Sequence, residues 1–324
     1  MTDQFNKREI GSTGILVTPV AMGCWPISGV TTLDVTETDG LSTLDAALDA
    51  GINFFDTAYC YGYQGESERL LGRAFAGRRD EVVIATKGGI HWENRRQHKD
   101  ARPETLRRQC EESLQRLGTD HIDLYFLHAP DPAVPVAESA GGLRDLLDAG
   151  KVRSVGVSNF SVAQMEEFQV VCPISASQPH FNMLQREIEV DHLPWCQEHG
   201  VAVTAYWVLL KGLLAGGLAR DREFDPRDGR AKYPMFQGKE FQRNLDFVDS
   251  LRLLAVEEGL TVSQLVIAWT LARPGITVAL CGGRRPQQVR ESADAMRADV
   301  TPATLDRVDA EITVRGAAAS RPPV

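Results

Sequence analysis

Short apolar segments alternate with amphipathic ones about eight times along this chain, and that alternation restricts the fold more than any other feature of the sequence. Val20–Cys24, Phe54-Phe55 running into Asp56, Val82–Lys87, Ile122–His128, Val152–Val157, Ile174–Gln178, Val201–Tyr206 and Ile276–Cys281 read as buried strands. Between them Thr38–Ala50, Glu66–Ala76, Pro103–Leu117, Leu143–Asp148, Val162–Val170 and Leu193–Glu198 carry the helical period. Leu41, Leu44, Ala47 and Leu48 fall on one face of the first helix, and Gly51 stops it. Phe241–Glu258 and Thr261–Ala272 read as two helices before the last strand, and Pro286–Ala298 as one after it. Thr301-Pro302 then opens a final helix with cap and proline in the preferred order. Such alternation predicts an α/β fold, a (β/α)8 TIM barrel with an N-terminal β-hairpin over Arg8–Val17 and extra helices. A doubly wound sheet is the alternative, but no Gly-x-Gly-x-x-Gly follows the first strand. The 324 residues suit a single barrel domain, 1–324. The small, Pro-rich tail over 316–324 is expected to be mobile.

In a barrel of this kind the C-terminal ends of the strands share one mouth, where active sites sit. Asp56, Lys87 and His128 end the second, third and fourth strands, and Tyr61 lies in the loop just beyond the first of these. Each has a bland explanation on its own: a turn cap, a snorkelling lysine, a hydrogen-bonded core histidine, a surface phenol. Their arrival together at one mouth favours chemistry. A free phenol has a pKa near ~10 and is a poor acid at neutral pH. An ammonium beside it favours phenolate, and a carboxylate holds the ammonium in place. A histidine opposite donates to a carbonyl oxygen, which suits protonation of that oxygen after hydride arrives. The hydride has to come from a nicotinamide cofactor.

Charge and cysteines exclude other classes. The formal charge of −9 does not favour nucleic acid or an anionic membrane as partner. Six cysteines show no zinc-type spacing, so no metal is expected, and reduced thiols point to the cytoplasm. No signal pattern opens the chain, and no apolar run approaches the ~20 residues of a membrane span.

The segments Asp56-Thr57-Ala58-x-x-Tyr61-Gly62, Glu66-Ser67-Glu68, Thr86-Lys87, Leu127-His128 and Gly156-Val157-Ser158-Asn159-Phe160 together resemble the aldo-keto reductase superfamily over nearly the whole chain. The resemblance implies that Tyr61 is the general acid, Lys87 tunes it, Asp56 holds Lys87 and His128 orients the carbonyl. It implies that Ser158, Asn159 and Gln178 bind the nicotinamide carboxamide and that Tyr206 stacks on its ring. Leu209, Lys211 and Gly212 would strap the pyrophosphate. Gly282, Arg284 and Arg285 would meet the adenosine end, with Arg284 on a 2′-phosphate and Gln288 and Glu291 by adenine, so NADPH is expected rather than NADH. Trp207 and Val208 stand where the family commonly has Ser-Pro, and Ser292 where it usually has Asn. Trp25, Tyr59, Trp92 and Trp207 are candidates to line an apolar mouth, and the loop 88–101 to lie over it. The implied partner is a small carbonyl compound, with the oligomeric state left open. Two other functions fit parts of the pattern: a class I aldolase using Lys87, and a cofactor-binding regulatory subunit like the potassium-channel β-subunits of the same superfamily.

Overall fold

The computed structural model describes residues 5–30 and 32–319. A two-stranded hairpin, β1 (Arg8–Glu9) and β2 (Leu16–Val17), precedes the first barrel strand, β3 (Val20–Gly23). The chain continues through α1 (Glu37–Asp49), β4 (Phe54–Asp56), α2 (Glu66–Ala74) and β5 (Val83–Gly88). A second hairpin, β6 (Ile90–Glu93) and β7 (Arg96–Lys99), leads to α3 (Pro103–Leu117). Then follow β8 (Leu124–Leu127), α4 (Val136–Asp148), β9 (Val155–Ser158), α5 (Val162–Val171), β10 (Ala176–Gln178), α6 (His192–Glu198) and β11 (Ala202–Ala205). Two helices, α7 (Gly238–Glu257) and α8 (Val262–Leu271), precede β12 (Ile276–Gly282), and α9 (Pro286–Asp294) and α10 (Pro302–Arg315) close the chain. The strands β3, β4, β5, β8, β9, β10, β11 and β12 pair in chain order, all parallel, and β12 returns to β3 to close the barrel.

Side chains alternate across each strand, and the alternation sorts the core. Ala21, Phe54, Ala85, Leu124, Phe126, Ala176, Ala202 and Val278 fill the barrel interior, and Ile10, Ile15 and Val17 of the first hairpin plug its lower end. The intervening residues Met22, Phe55, Ile84, Tyr125, Leu127 and Val203 pack outward against the helices. Gly156 faces inward without a side chain because Phe126 fills its place. A Cβ there would lie 2.4 Å from the Phe126 ring.

Most predicted elements stand within a few residues of their expected bounds. The largest difference within an element is α4, which starts at Val136 rather than Leu143. Gly142, within its added turns, lets α4 approach α3, since a Cβ there would lie 2.8 Å from Pro103 Cα. The expected loop over 88–101 contains the β6–β7 hairpin instead. Its two-residue turn has Asn94 and Arg95 at φ 50° and 61°, the left-handed pair that a tight hairpin requires. Of the tail, residues 320–324 lie outside the described residues. Over 316–319 the Ala319 amide donates to Glu240 at 2.9 Å. Among the described residues no helix is long and apolar enough to cross a membrane, and no cluster of side chains is suited to a metal ion.

Candidate active site

The inward parity of the strands carries through to the mouth. Asp56 lies two residues beyond Phe54, Lys87 two beyond Ala85, His128 two beyond Phe126, and Gln178 two beyond Ala176, so all four face the barrel axis at its upper rim. Pairing of β4 with β5 and β5 with β8 then puts the first three side by side.

Lys87 Nζ donates to Asp56 Oδ1 at 2.6 Å, to the Thr57 carbonyl at 2.7 Å and to the Tyr61 hydroxyl at 3.4 Å. The ion pair is buried, with side-chain exposures of 1% and 4%. The other Asp56 oxygen accepts from Gln178 Nε2 at 2.8 Å. Its donors are thus directed at a carboxylate, a carbonyl and a phenol.

Tyr61 is placed by a tight turn. Its amide donates to the Ala58 carbonyl and its carbonyl accepts from Ser67. Gly62, at φ 106°, leaves room for Glu66, which no Cβ would permit. The ring meets Trp25 edge-on at 4.9 Å and His128 at 5.9 Å. Burial, and next the Asp56 carboxylate, push the phenol well above its ordinary value. Burial prevails over the lowering expected from the ammonium. The phenol therefore keeps its proton. Burial, then Lys87 and Lys99, hold His128 well below its ordinary value, so its imidazole is neutral.

The remaining wall is polar and self-bonded. Ser158 Oγ donates to the Gln178 carbonyl at 2.8 Å. Asn159, left-handed at φ 62°, donates from Nδ2 to the His128 carbonyl and Ser158 Oγ, both at 3.0 Å. Tyr206 donates its hydroxyl to Asn159 Oδ1 at 2.7 Å. Beyond it Trp207 (φ 62°), Leu210, Lys211 and Gly212 are all left-handed, a concave backbone of the kind that receives anions. Left-handed backbone at a bulky residue such as Trp207 is uncommon and marks a constrained site.

At the far end, Arg284 and Arg285 precede α9, whose N-terminus has no side-chain cap. Arg285 is tied to Asp39 of α1 at 2.6 Å. No ion pair holds the Arg284 guanidinium among the described residues, and its amide donates to Gln288 Oε1 at 3.0 Å. The glycines before them are needed for packing: a Cβ at Gly282 would meet Pro26 at 2.9 Å, and one at Gly283 would meet Val289 at 2.5 Å. Ser292 is buried. Glu291 is part-buried on α9. These donors, the left-handed strap and the uncapped helix suit a dinucleotide with its phosphates.

Of the aromatic candidates, Trp25 touches Tyr61, and Trp92 donates from Nε1 to the Cys60 carbonyl at 2.8 Å, so both flank the phenol. Trp207 packs edge-on to Tyr233 at 5.3 Å, with the Lys211 ammonium 5.2 Å from its own ring centre. Tyr59 does not join them. Its hydroxyl donates to Glu112 of α3 at 2.8 Å and Arg116 lies over its ring, outside the barrel wall. A single phenol in a loop gives no sign of which face it takes. The residues that sequence reasoning overlooked are Cys60, 3.6 Å from the His128 ring through its sulfur, and Gln97 of the unforeseen hairpin.

Comparison with known proteins agrees with this geometry. The profile of the Aldo/keto reductase family matches residues 19–312. The aldo-keto reductase YhdN of Bacillus subtilis (strain 168) is 39% identical over 284 residues, covering 87% of this chain and 86% of that protein. An Escherichia coli (strain K12) protein named NADH-specific methylglyoxal reductase is 32% identical, covering 95% of this chain and 99% of its own. The structure of a glycerol dehydrogenase from Gluconobacter oxydans superposes with a TM-score of 0.89 at 36% identity, covering 99% of both chains. The chain belongs to the aldo/keto reductase family and is an NAD(P)H-dependent oxidoreductase.

Proposed function

We propose that this protein reduces a small aldehyde or ketone to the alcohol, with NADPH as hydride source and Tyr61 as the proton donor. One observation carries the proposal: the Tyr61 phenol, a buried Lys87–Asp56 pair touching it and the His128 imidazole all face one barrel mouth. Bound nicotinamide supplies the hydride. Ser158, Asn159 and Gln178 would hold its carboxamide, Tyr206 its ring, and Leu209, Lys211 and Gly212 the pyrophosphate. A carbonyl oxygen between Tyr61 and His128 gains negative charge as hydride arrives. His128 donates a hydrogen bond to that oxygen, and Tyr61 transfers its proton to it. The Lys87 ammonium, 3.4 Å from the phenol oxygen, stabilises the phenolate left behind. A panel of aldehydes, ketones and keto-sugars tests the activity, with NADPH consumption as readout. A folded, cofactor-binding protein that consumes none would overturn it.

Preference for NADPH rests on Arg284. A 2′-phosphate carries close to two negative charges, and this acidic chain offers it only a local cationic site. The tie of Arg285 to Asp39 leaves Arg284 the better candidate to grip the phosphate. Arg284→Ala is expected to weaken NADPH binding by roughly 10–150-fold and to leave NADH nearly unchanged. Dissociation constants for both cofactors check this, with Arg285→Ala as the comparison. The NADH specificity named for the Escherichia coli relative gives the test its edge. If neither substitution narrows the NADPH-to-NADH ratio, the phosphate site lies elsewhere.

A further inference from the structure

The loop after β4 buries a thiol against the imidazole. Cys60 is 1% exposed, and its Sγ lies 3.6 Å from Nδ1 of His128. Gln97 Nε2, from β7, approaches the same sulfur at 3.9 Å. Trp92 Nε1, from β6, fixes the Cys60 carbonyl at 2.8 Å, and Ala58, Ile90 and Ala129 close around the side chain. A sulfur that accepts from an amide N–H turns its own proton toward its other neighbour, which here is Nδ1. A neutral imidazole that accepts at Nδ1 carries its hydrogen on Nε2.

We propose that Cys60 is a positioning residue: its thiol donates to Nδ1 of His128 and locks the imidazole in the Nε2–H tautomer, so that a donor is kept for the substrate carbonyl. The inference rests on the role given above to His128. Protonation states agree with it. Burial pushes the Cys60 thiol up to about 12, so it keeps its proton to donate. The imidazole is neutral because of burial and then Lys87 and Lys99, so it has a single N–H to place. Without the thiol that hydrogen is free to move to Nδ1, and Nε2 would then present a lone pair to the carbonyl oxygen.

The test uses the full chain with isotope-labelled histidine. Two-bond proton–nitrogen spectra report the tautomer of His128, its signal assigned by loss in His128→Gln. Wild type is expected to show hydrogen on Nε2. Cys60→Ala should admit the Nδ1–H form and lower kcat by about 2–10-fold, with cofactor affinity unchanged. Cys60→Ser, which keeps a donor at that place, should restore both. Wild-type hydrogen on Nδ1 overturns the proposal. So does a Cys60→Ala protein that keeps both the Nε2–H tautomer and wild-type kcat. A tautomer that moves while kcat stays constant refutes the role given to His128, and the proposal with it, while leaving the proton-donor role of Tyr61 untouched.

Discussion

Tyr61→Phe is expected to lower carbonyl turnover by roughly 10²–10⁴-fold while leaving cofactor affinity within about twofold of wild type. The substitution removes one oxygen and nothing else. That oxygen contacts Lys87 at 3.4 Å, and the ring keeps its edge-on contacts with Trp25 and His128. No backbone bond of the turn involves the hydroxyl, since Ala58 and Ser67 hold the main chain. The loss should therefore fall on kcat. Steady-state turnover and a fluorescence titration with cofactor, run on the same preparation, separate the two effects. A variant that keeps more than about a tenth of wild-type turnover removes Tyr61 from the role of proton donor.

Lys87→Met is expected to destabilise the fold by about 3–5 kcal/mol, because it strands a buried carboxylate. Asp56 is 3% exposed, and after the substitution its carboxylate keeps only the Gln178 amide, at 2.8 Å, of the two side chains that bond it. Replacing both charges, as Lys87→Met with Asp56→Leu, should recover much of that stability, since an apolar pair of similar volume often matches a buried ion pair. Neither variant should recover activity. Denaturant unfolding of the two single variants and the double variant checks the coupling. A Lys87→Met protein within about 1 kcal/mol of wild type would mean that the pair contributes little to holding the mouth together.

The barrel and the three side chains that end its second, third and fourth strands were legible because the same two-residue period that builds the strands also aims their last residues. Phe54 and Asp56, Ala85 and Lys87, and Phe126 and His128 each share a face, so a pattern visible in the sequence carries the core into the mouth. What stayed hidden depends on contacts between distant segments. The β6–β7 hairpin has no apolar run, only a cross-strand register that pairs Trp92 with Gln97 and His91 with His98. Its hold on Cys60 therefore had no local signal. Tyr59 and Tyr61 look alike in sequence, but α3 offers Glu112 and Arg116 to one and the mouth takes the other. Arg284 was expected on the 2′-phosphate, and the pairing of its neighbour Arg285 with Asp39, in a helix near the other end of the chain, had no local signal. Gly282-Gly283 reads as room for a ligand, yet Pro26 and Val289 occupy the space those side chains would take.

The central claim is hydride transfer at this mouth, and isotope transfer tests it most directly. The protein would be given NADPH deuterated on the transferring face and a carbonyl compound it turns over, and the product analysed by mass spectrometry. The account predicts one deuterium on the new carbinol carbon for each cofactor oxidised in wild type, and almost none formed by Tyr61→Phe over the same time. Cofactor that binds tightly but passes no deuterium to any carbonyl in the panel would contradict it.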